Sequence, residues 1–413
     1  MLEANPRIAG RDLAVGRAEA GRAAARSRLL PQLTTAANVS WNRLDQATTD
    51  ARTRASTDVT SSYEGSRASL QARQALLDLP AWYRLQGARA GIEQATREAE
   101  VVRMALAAEL VEACLDELHA EEQLAALAAE RELSATEAKR AERMRALKLV
   151  KITDVYEIAA YRQSLETKTL ETGDTRQGAL DHLHALAGTP VEALAMRRDV
   201  RLPAVPGTME RWVADAREHH PALLALDSAV VAAGQGVREA KAQHLPQLSL
   251  QASHVFADNG GYDNRQLDPY QVSSVGVQLN LPIYAGGGID AGVNEAVAKR
   301  EIAAQQQLEK AIEIERNVRS AFRAAQTGLA RVDSTAREVE AREKARDGQQ
   351  KSYELGAATV VDALAAKRDL LAARLAHSAA RYDYLRALVA LRLWTGSLSR
   401  EHVAEIGRWL GAE

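Results

Sequence analysis

Hydrophobic and polar residues alternate with two different periods along this chain. In residues 32–43 the period is two: Leu33, Thr35, Ala37, Val39 and Trp41 fall on one side, and Gln32, Thr34, Asn38, Ser40 and Asn42 on the other. The same alternation recurs in 67–77, where Ala68, Leu70 and Ala72 interleave with Arg67, Ser69, Gln71 and Arg73. In 247–256, Leu248, Leu250, Ala252 and Phe256 interleave with Gln247, Ser249, Gln251 and Ser253, with His254 interrupting the apolar side. In 272–281, Val275, Val277, Leu279 and Leu281 interleave with Ser274, Gly276, Gln278 and Asn280. Period two predicts four strands, at about 32–43, 67–77, 247–256 and 272–281. The stretches between paired strands, Gln46–Ser62 and Asp258–Asp268, are polar and turn-rich and are expected to be solvent-exposed loops.

Elsewhere the period is helical. Residues 82–147 contain no proline, and at 1.5 Å per residue they predict a helix on the order of 100 Å long. A second such helix is expected from about Ile289 to Tyr353. Both far exceed the ordinary length of about a dozen residues. Heptad-like contacts such as Leu106, Leu110, Leu118, Leu124 and Leu127 predict paired helices. Shorter helices are expected at 6–29 and 153–187, and end to end they would match one long helix.

These elements come twice. Asn5-Pro6-Arg7-Ile8 followed by Leu30-Pro31-Gln32-Leu33 is echoed, at the same Pro-to-Pro spacing, by His220-Pro221-Ala222-Leu223 followed by Leu245-Pro246-Gln247-Leu248. Asp78-Leu79-Pro80-Ala81-Trp82 is echoed by Asn280-Leu281-Pro282-Ile283-Tyr284, and Leu147-Lys148-Leu149-Val150-Lys151-Ile152-Thr153-Asp154 by Leu355-Gly356-Ala357-Ala358-Thr359-Val360-Val361-Asp362. The organisation expected is a first repeat over 1–200, a linker over 201–217 containing Pro203 and Pro206, a second repeat over 218–396 and a C-terminal segment over 397–413.

Composition narrows the class. The 413 residues carry a net charge of -2 and 26% charged residues, without the basic stripe a nucleic-acid binder needs. Aromatics are only 4%, against a large aromatic-packed core. No stretch of about 18 apolar residues predicts a transmembrane helix. Strands of this length, apolar on one side and polar on the other, suit a membrane barrel with a wet lumen. Trp41, Tyr63, Trp82, Tyr83, Tyr270 and Tyr284 lie near strand ends, where interface aromatics belong. Four strands cannot close around an open lumen, so closure requires several chains. The opening residues already have the character of a mature domain, and an export signal is expected to have been removed.

Candidate chemistry is sparse. Cys114, the single cysteine, sits within a helical run and reads as a small buried or groove-facing residue. His182 and His184 point to different helix faces, which disfavours a metal site, and His219-His220 is expected to be solvated. Gly286-Gly287-Gly288 lacks the lysine of a phosphate loop. No nucleophile and base pair emerges, so neither an enzyme nor a cofactor is expected.

The duplicated Leu-Pro-Gln-Leu motifs, Leu281-Pro282-Ile283-Tyr284-Ala285-Gly286-Gly287-Gly288, Ile152-Thr153-Asp154-Val155 and Tyr353-Glu354-Leu355-Gly356 before Val360-Val361-Asp362-Ala363-Leu364 occur in an order that resembles the TolC family of outer-membrane efflux and secretion channels. The resemblance runs over essentially the whole chain, to Leu391-Arg392-Leu393-Trp394-Thr395-Gly396. It implies a mainly α protein with a membrane β-barrel: a homotrimeric channel-tunnel, with 12 strands (four per chain) on a long α-helical barrel reaching into the periplasm. It implies passive export from the bacterial outer membrane, in type I protein secretion, with a periplasmic adaptor protein and an inner-membrane ABC or proton-driven transporter as partners, outer-membrane lipid around the barrel and no nucleic acid. Within the family the likeness is to the branch that includes exporters of an adenylate cyclase–haemolysin toxin. A multidrug or metal efflux duct is the alternative within transport. A soluble coiled-coil scaffold or adaptor is the alternative of another class, and dependence on detergent separates it.

The resemblance also implies a periplasmic gate of polar links, matching Thr153 and Asp154 in one turn and Tyr353 and Asp362 in the other. The family's gate arginine falls at Ala358, and a further aspartate of its constriction falls at Ala365. Lys148 and Lys151 are the expected substitutes for the missing cation. The competing assignment for Asp154 and Asp362 is helix capping.

Overall fold

The computed structural model describes residues 5–49, 51–148, 150–188, 202–258, 269–399 and 401–404. Most of the expected Asp258–Asp268 loop, the start of the 201–217 linker, Thr189-Pro190 and most of the 397–413 segment lie outside the described residues.

The chain runs α1 (Pro6–Ser27), β1 (Gln32–Thr49), β2 (Ser56–Leu77), α2 (Leu79–Ala146), α3 (Ile152–Ala187), α4 (Met209–His219), α5 (Pro221–Ala242), β3 (Gln247–Asp258), β4 (Tyr270–Asn280), α6 (Gly288–Glu354) and α7 (Val360–Trp394). The long helices α2 and α6 have 68 and 67 residues. The chain divides into two compact units, each drawn from both halves of the sequence.

The first unit comprises residues 1–13, 96–225 and 307–413 and is helical. Its interior is a series of small clusters rather than one core. Met104, Val111, Leu115 and Leu118 of α2 pack on Tyr382, Leu385 and Val389 of α7. Further along, Leu127 of α2 meets Ile158, Tyr161 and Leu165 of α3 and Leu364 and Leu371 of α7. Ile314 and Val318 of α6 close on Val213 of α4 and Leu391 of α7. The spacing of Leu106, Leu115, Leu118 and Leu127 along α2 is thus the stripe that seals it against its neighbours. Leu110 is partly buried beside Leu183 and Leu186.

Part of the stretch expected to be a linker is helical. Thr208 starts α4 by accepting a hydrogen bond from the Arg211 amide on its side chain, as an N-cap does. His220, expected to be solvated, is 4% exposed. It joins α4 to α5, its Nδ1 accepts from the Ala222 amide at 3.1 Å, and Gly396 closes over it from the end of α7. Gly396 has φ +73°, and a Cβ there would lie 2.8 Å from the His220 Cα. Only glycine fits both constraints.

The second unit comprises residues 14–95 and 226–306. It holds a four-stranded antiparallel sheet in the order β1-β2-β3-β4, in which β2 pairs with β3 and so joins the two halves of the sequence. The strands of the first hairpin run further than the alternation of apolar residues suggested. Pairing continues from Trp41↔Glu64 to Thr49↔Ser56, through much of the expected Gln46–Ser62 loop. Backbone pairing needs no apolar residues, so the change to Thr, Ser, Asp and Arg altered the face without ending the ladder. At the other end of the strands, Arg84 of α2 forms an ion pair with Glu239 of α5, and Gly87 approaches Ala232 closely.

Candidate functional site

The register decides which side chains share a face of the sheet. Leu33 pairs with Ala72, Thr35 with Leu70 and Ala37 with Ala68. Ala72 continues to Ala252 and Ala68 to Phe256. Leu248, Leu250 and Ala252 continue to Leu279, Val277 and Val275. One face therefore carries the apolar members of all four strands. The other carries Gln32, Thr34, Asn38, Ser40, Gln71, Ser69, Gln251, Ser253, Gln278 and Ser274. On the polar face, Ser253 and Ser274 hydrogen-bond at 2.7 Å, and Gln251 and Gln278 also pair.

On β1 the apolar set runs from Leu33 to Trp41, or about 27 Å of strand at 3.3–3.4 Å per residue. A membrane strand needs about 9–11 residues. Past Trp41 the same face turns to Arg43 and Asp45, which form an ion pair at 3.3 Å. Trp41 is 79% exposed, and its indole N–H donates to Glu64 at 2.6 Å. An amphipathic ring with a polar handle at the end of an apolar band is the arrangement of an interface girdle. At the other end, Trp82 and Tyr284 are exposed and Tyr83 is half-buried. Tyr270 and Tyr63 differ from expectation: Tyr270 pairs with Ala257 and Tyr63 with Asn42, which places both on the polar face. His254 lies on the apolar face, with its Nδ1 bonded to the Ser273 hydroxyl at 2.9 Å.

Both outer strands of the sheet, β1 and β4, have one free edge among the described residues. Every residue of β4 is exposed.

The helical unit holds the other candidate site. The end of α2, the start of α3, the end of α6 and the start of α7 surround a cavity of ≈ 350 Å³. Lys151, Asp154 and Tyr353 line it, together with Glu137, Arg140 and Lys367. The Lys367 ammonium is bonded to Glu137. Tyr353 is half-buried, and burial first, then the nearby Asp154 charge, holds its phenol above the usual range. Asp154 accepts the Lys151 amide at 3.3 Å.

Thr153, Lys148 and Asp362 do not line this cavity. Thr153 is exposed. Lys148 is exposed in the α2–α3 turn with φ 58°, the left-handed position usual for a residue just past a helix. Asp362 caps α7: its carboxylate accepts from the Thr359 amide at 2.9 Å and from the Thr359 hydroxyl at 2.6 Å. Those bonds hold its carboxyl below the usual range. Glu137, Arg140 and Lys367 escaped the sequence reading because they sit within long charged helices, and no local motif marks them. Their one sequence signal was the three-residue spacing of Glu137 and Arg140, which places both on one face of α2.

The fold has close counterparts among solved structures. The outer membrane protein VceC of Vibrio cholerae superposes with a TM-score of 0.80 at 20% identity, covering 96% of this chain and 94% of that one. In sequence, residues 212–397 match the outer membrane efflux protein family. Over those residues the chain is similar to that family. The alkaline protease secretion protein AprF of Pseudomonas aeruginosa is 29% identical over 96% of this chain and 83% of its own length. The proteases secretion protein PrtF of Dickeya chrysanthemi is 26% identical over 98% of this chain and 88% of its own length.

Proposed function

We propose that this chain is one of three identical staves of an outer-membrane duct for type I protein secretion. The observation that carries this is the sheet: an apolar band across four strands, bounded by aromatics, with both edges open. In lipid an unpaired strand edge leaves several N–H and C=O groups without partners, at several kcal/mol each. Four strands cannot surround a lumen, so the edges must meet those of other copies. Three copies give 12 strands, the number expected of the family. AprF and PrtF, whose names describe protease secretion, favour a protein cargo.

In this reading the helical unit lies in the periplasm and meets an adaptor protein and an inner-membrane transporter that supplies the energy. The duct itself performs no bond chemistry and needs no cofactor. Lys151, Asp154 and Tyr353, with Glu137, Arg140 and Lys367, form the polar constriction, and Thr153, Lys148 and Asp362 belong to the turns that frame it. Lys151 and Lys367 supply the cations that Ala358 does not.

The test is to purify the protein in detergent, measure its mass in solution and add it to planar bilayers. A trimer that forms ion-conducting pores, with conductance raised by Asp154→Ala, is the expected result. A water-soluble monomer that conducts nothing would overturn the proposal. Pores whose conductance ignores Asp154→Ala would remove the gate assignment alone.

A further inference from the structure

The two faces of the sheet differ in charge as well as polarity. Among the described residues, the polar face carries only two charged side chains, Arg67 and Arg73, both on β2. Arg67 lies between Asn38 of β1 and Ala257 of β3, and Arg73 between Gln32 and Gln251. Both are exposed, and among the described residues no carboxylate stands on that face to pair with them. The nearby acids go to the other face. Glu64 ends the apolar band beside Trp41, and Asp258 stands opposite Ser66, also at the outer end. This sorting has a physical consequence. On the lipid face an arginine near the midplane would cost about 2–4 kcal/mol, so the two arginines belong to the wet side. There, no described residue of the sheet neutralises them.

From this placement we infer that the barrel wall is an anion-attracting sleeve, which recognises acidic polypeptide chains and other multivalent anions as they leave. The inference rests on the proposed pore. With three copies, Arg67 and Arg73 make two rings of three guanidinium groups, about 20 Å apart along the strands at ~3.3 Å per residue. A guanidinium is permanently charged, weakly hydrated and shaped to hold carboxylate or phosphate oxygens through two donors. A ring of such groups on low-dielectric walls concentrates counter-ions, as charged rings do in ion-selective channels. The two rings are far enough apart for an extended acidic chain to touch both, while a small anion meets one at a time. The anion site is also distinct from the helix-end cavity, because it lies entirely within the sheet.

The experiment uses the full-length protein in planar bilayers, with the Arg67→Gln/Arg73→Gln pair and the Arg67→Lys/Arg73→Lys pair as variants. Detergent-purified trimers of each are compared first, so that only assembled channels are measured. In a low-salt potassium chloride gradient, the Gln pair should lower the chloride-to-potassium permeability ratio by about two- to threefold, and the change should shrink near 1 M salt as the Debye length falls to about 3 Å. Polyglutamate should block the parent channel, polylysine should not, and the Gln pair should need about tenfold more polyglutamate for equal block. The Lys pair should keep both properties. Tripolyphosphate separates the two kinds of anion: weak block by it beside strong block by polyglutamate assigns the sleeve to acidic chains, and equal block assigns it to multivalent anions at large. Conducting trimers whose selectivity and polyglutamate block are the same in the Gln pair as in the parent would overturn the inference. Failure to conduct at all in the parent protein would instead overturn the duct.

Discussion

In the helical unit, Leu106, Leu115 and Tyr382 have no measurable exposure, while in the sheet Val275, Val277 and Leu279 are 77%, 61% and 64% exposed. The two regions draw on similar apolar residues and place them oppositely. The helices turn theirs inward, where water is the surrounding medium and burial of each large side chain is worth about 1.5–3 kcal/mol. The sheet leaves its apolar residues exposed on one face and sets its Gln, Ser and Asn on the other. An apolar face of this extent is stable when an apolar medium or another apolar surface covers it. The difference therefore assigns a solvent to each region without reference to any helix of membrane-spanning character, and none of the described helices has one.

The comparison is broken most severely by moving a charge from one face of the sheet to the other. Val277→Arg puts a cation in the middle of the apolar face of β4, at about 2–4 kcal/mol per chain. Gln278→Arg adds the same charge one residue away, on the polar face. We expect Val277→Arg to abolish recovery of trimers from the outer-membrane fraction and Gln278→Arg to leave it near the parent level. Equal recovery of the two variants would mean that the faces are not differently solvated.

A smaller effect separates the units by pH. Burial of His220 between α4 and α5, with Lys310 of α6 adding to it and Glu313 of α6 opposing it, holds its imidazole down to about 4 from an ordinary 6.5. The unfolded chain thus takes up a proton at a higher pH than the folded one. Stability from the neutral imidazole is complete above about pH 6.5 and is lost as the pH falls toward 4, by about 3 kcal/mol per chain in all. Glu117 runs the other way: burial holds its carboxyl above the usual range, so its share is present at low pH and lost as the pH rises. Half-buried His119 and His377 act in the same sense as His220, so the net expectation is that the helical unit melts earlier at pH 4.5 than at pH 7, read as the helix signal in circular dichroism, and that His220→Asn removes part of the difference. A strand signal that fails first on acidification would contradict it.

What the sequence made legible follows from the same contrast. Period two sorted the strands onto faces, because in a sheet side-chain direction alternates strictly, and the apolar face runs from Leu33 to Trp41 as the alternation indicated. The reach of β1 and β2 beyond Trp41 was not legible, since polar strands leave no pattern. Placement of Tyr270 and Tyr63 by nearness to a strand end missed the parity that puts them on the polar face. His220 next to His219 and a proline resembled a surface loop. Its burial depends on Gly396, from the far end of the chain, and no local pattern carries that information. Likewise Glu137, Arg140 and Lys367 converge on Lys151, Asp154 and Tyr353 only because four helix ends meet.

The smallest effect tests the two helix starts near that cavity against each other. Thr359 and Asp362 form a reciprocal capping box, with the Asp362 amide donating to the Thr359 hydroxyl at 3.2 Å and the Asp362 carboxylate accepting in return. At the start of α3 only half of this exists. Asp154 accepts from the Lys151 amide, but a lysine side chain has no acceptor to offer the Asp154 amide, which donates to the Lys151 carbonyl at 3.2 Å instead. The α3 turn should therefore open more readily than the α7 turn. Hydrogen exchange reads the difference at single amides. Thr359→Ala should speed exchange at the Asp362 amide by about five- to tenfold, as the loss of a threonine N-cap does. Lys151→Thr should complete the missing half of the box and slow exchange at the Asp154 amide by a comparable factor. Should Lys151→Thr leave that exchange rate unchanged, the α3 turn is held by the cavity's side chains rather than by its cap, and Asp154→Ala would then loosen Tyr353 as well.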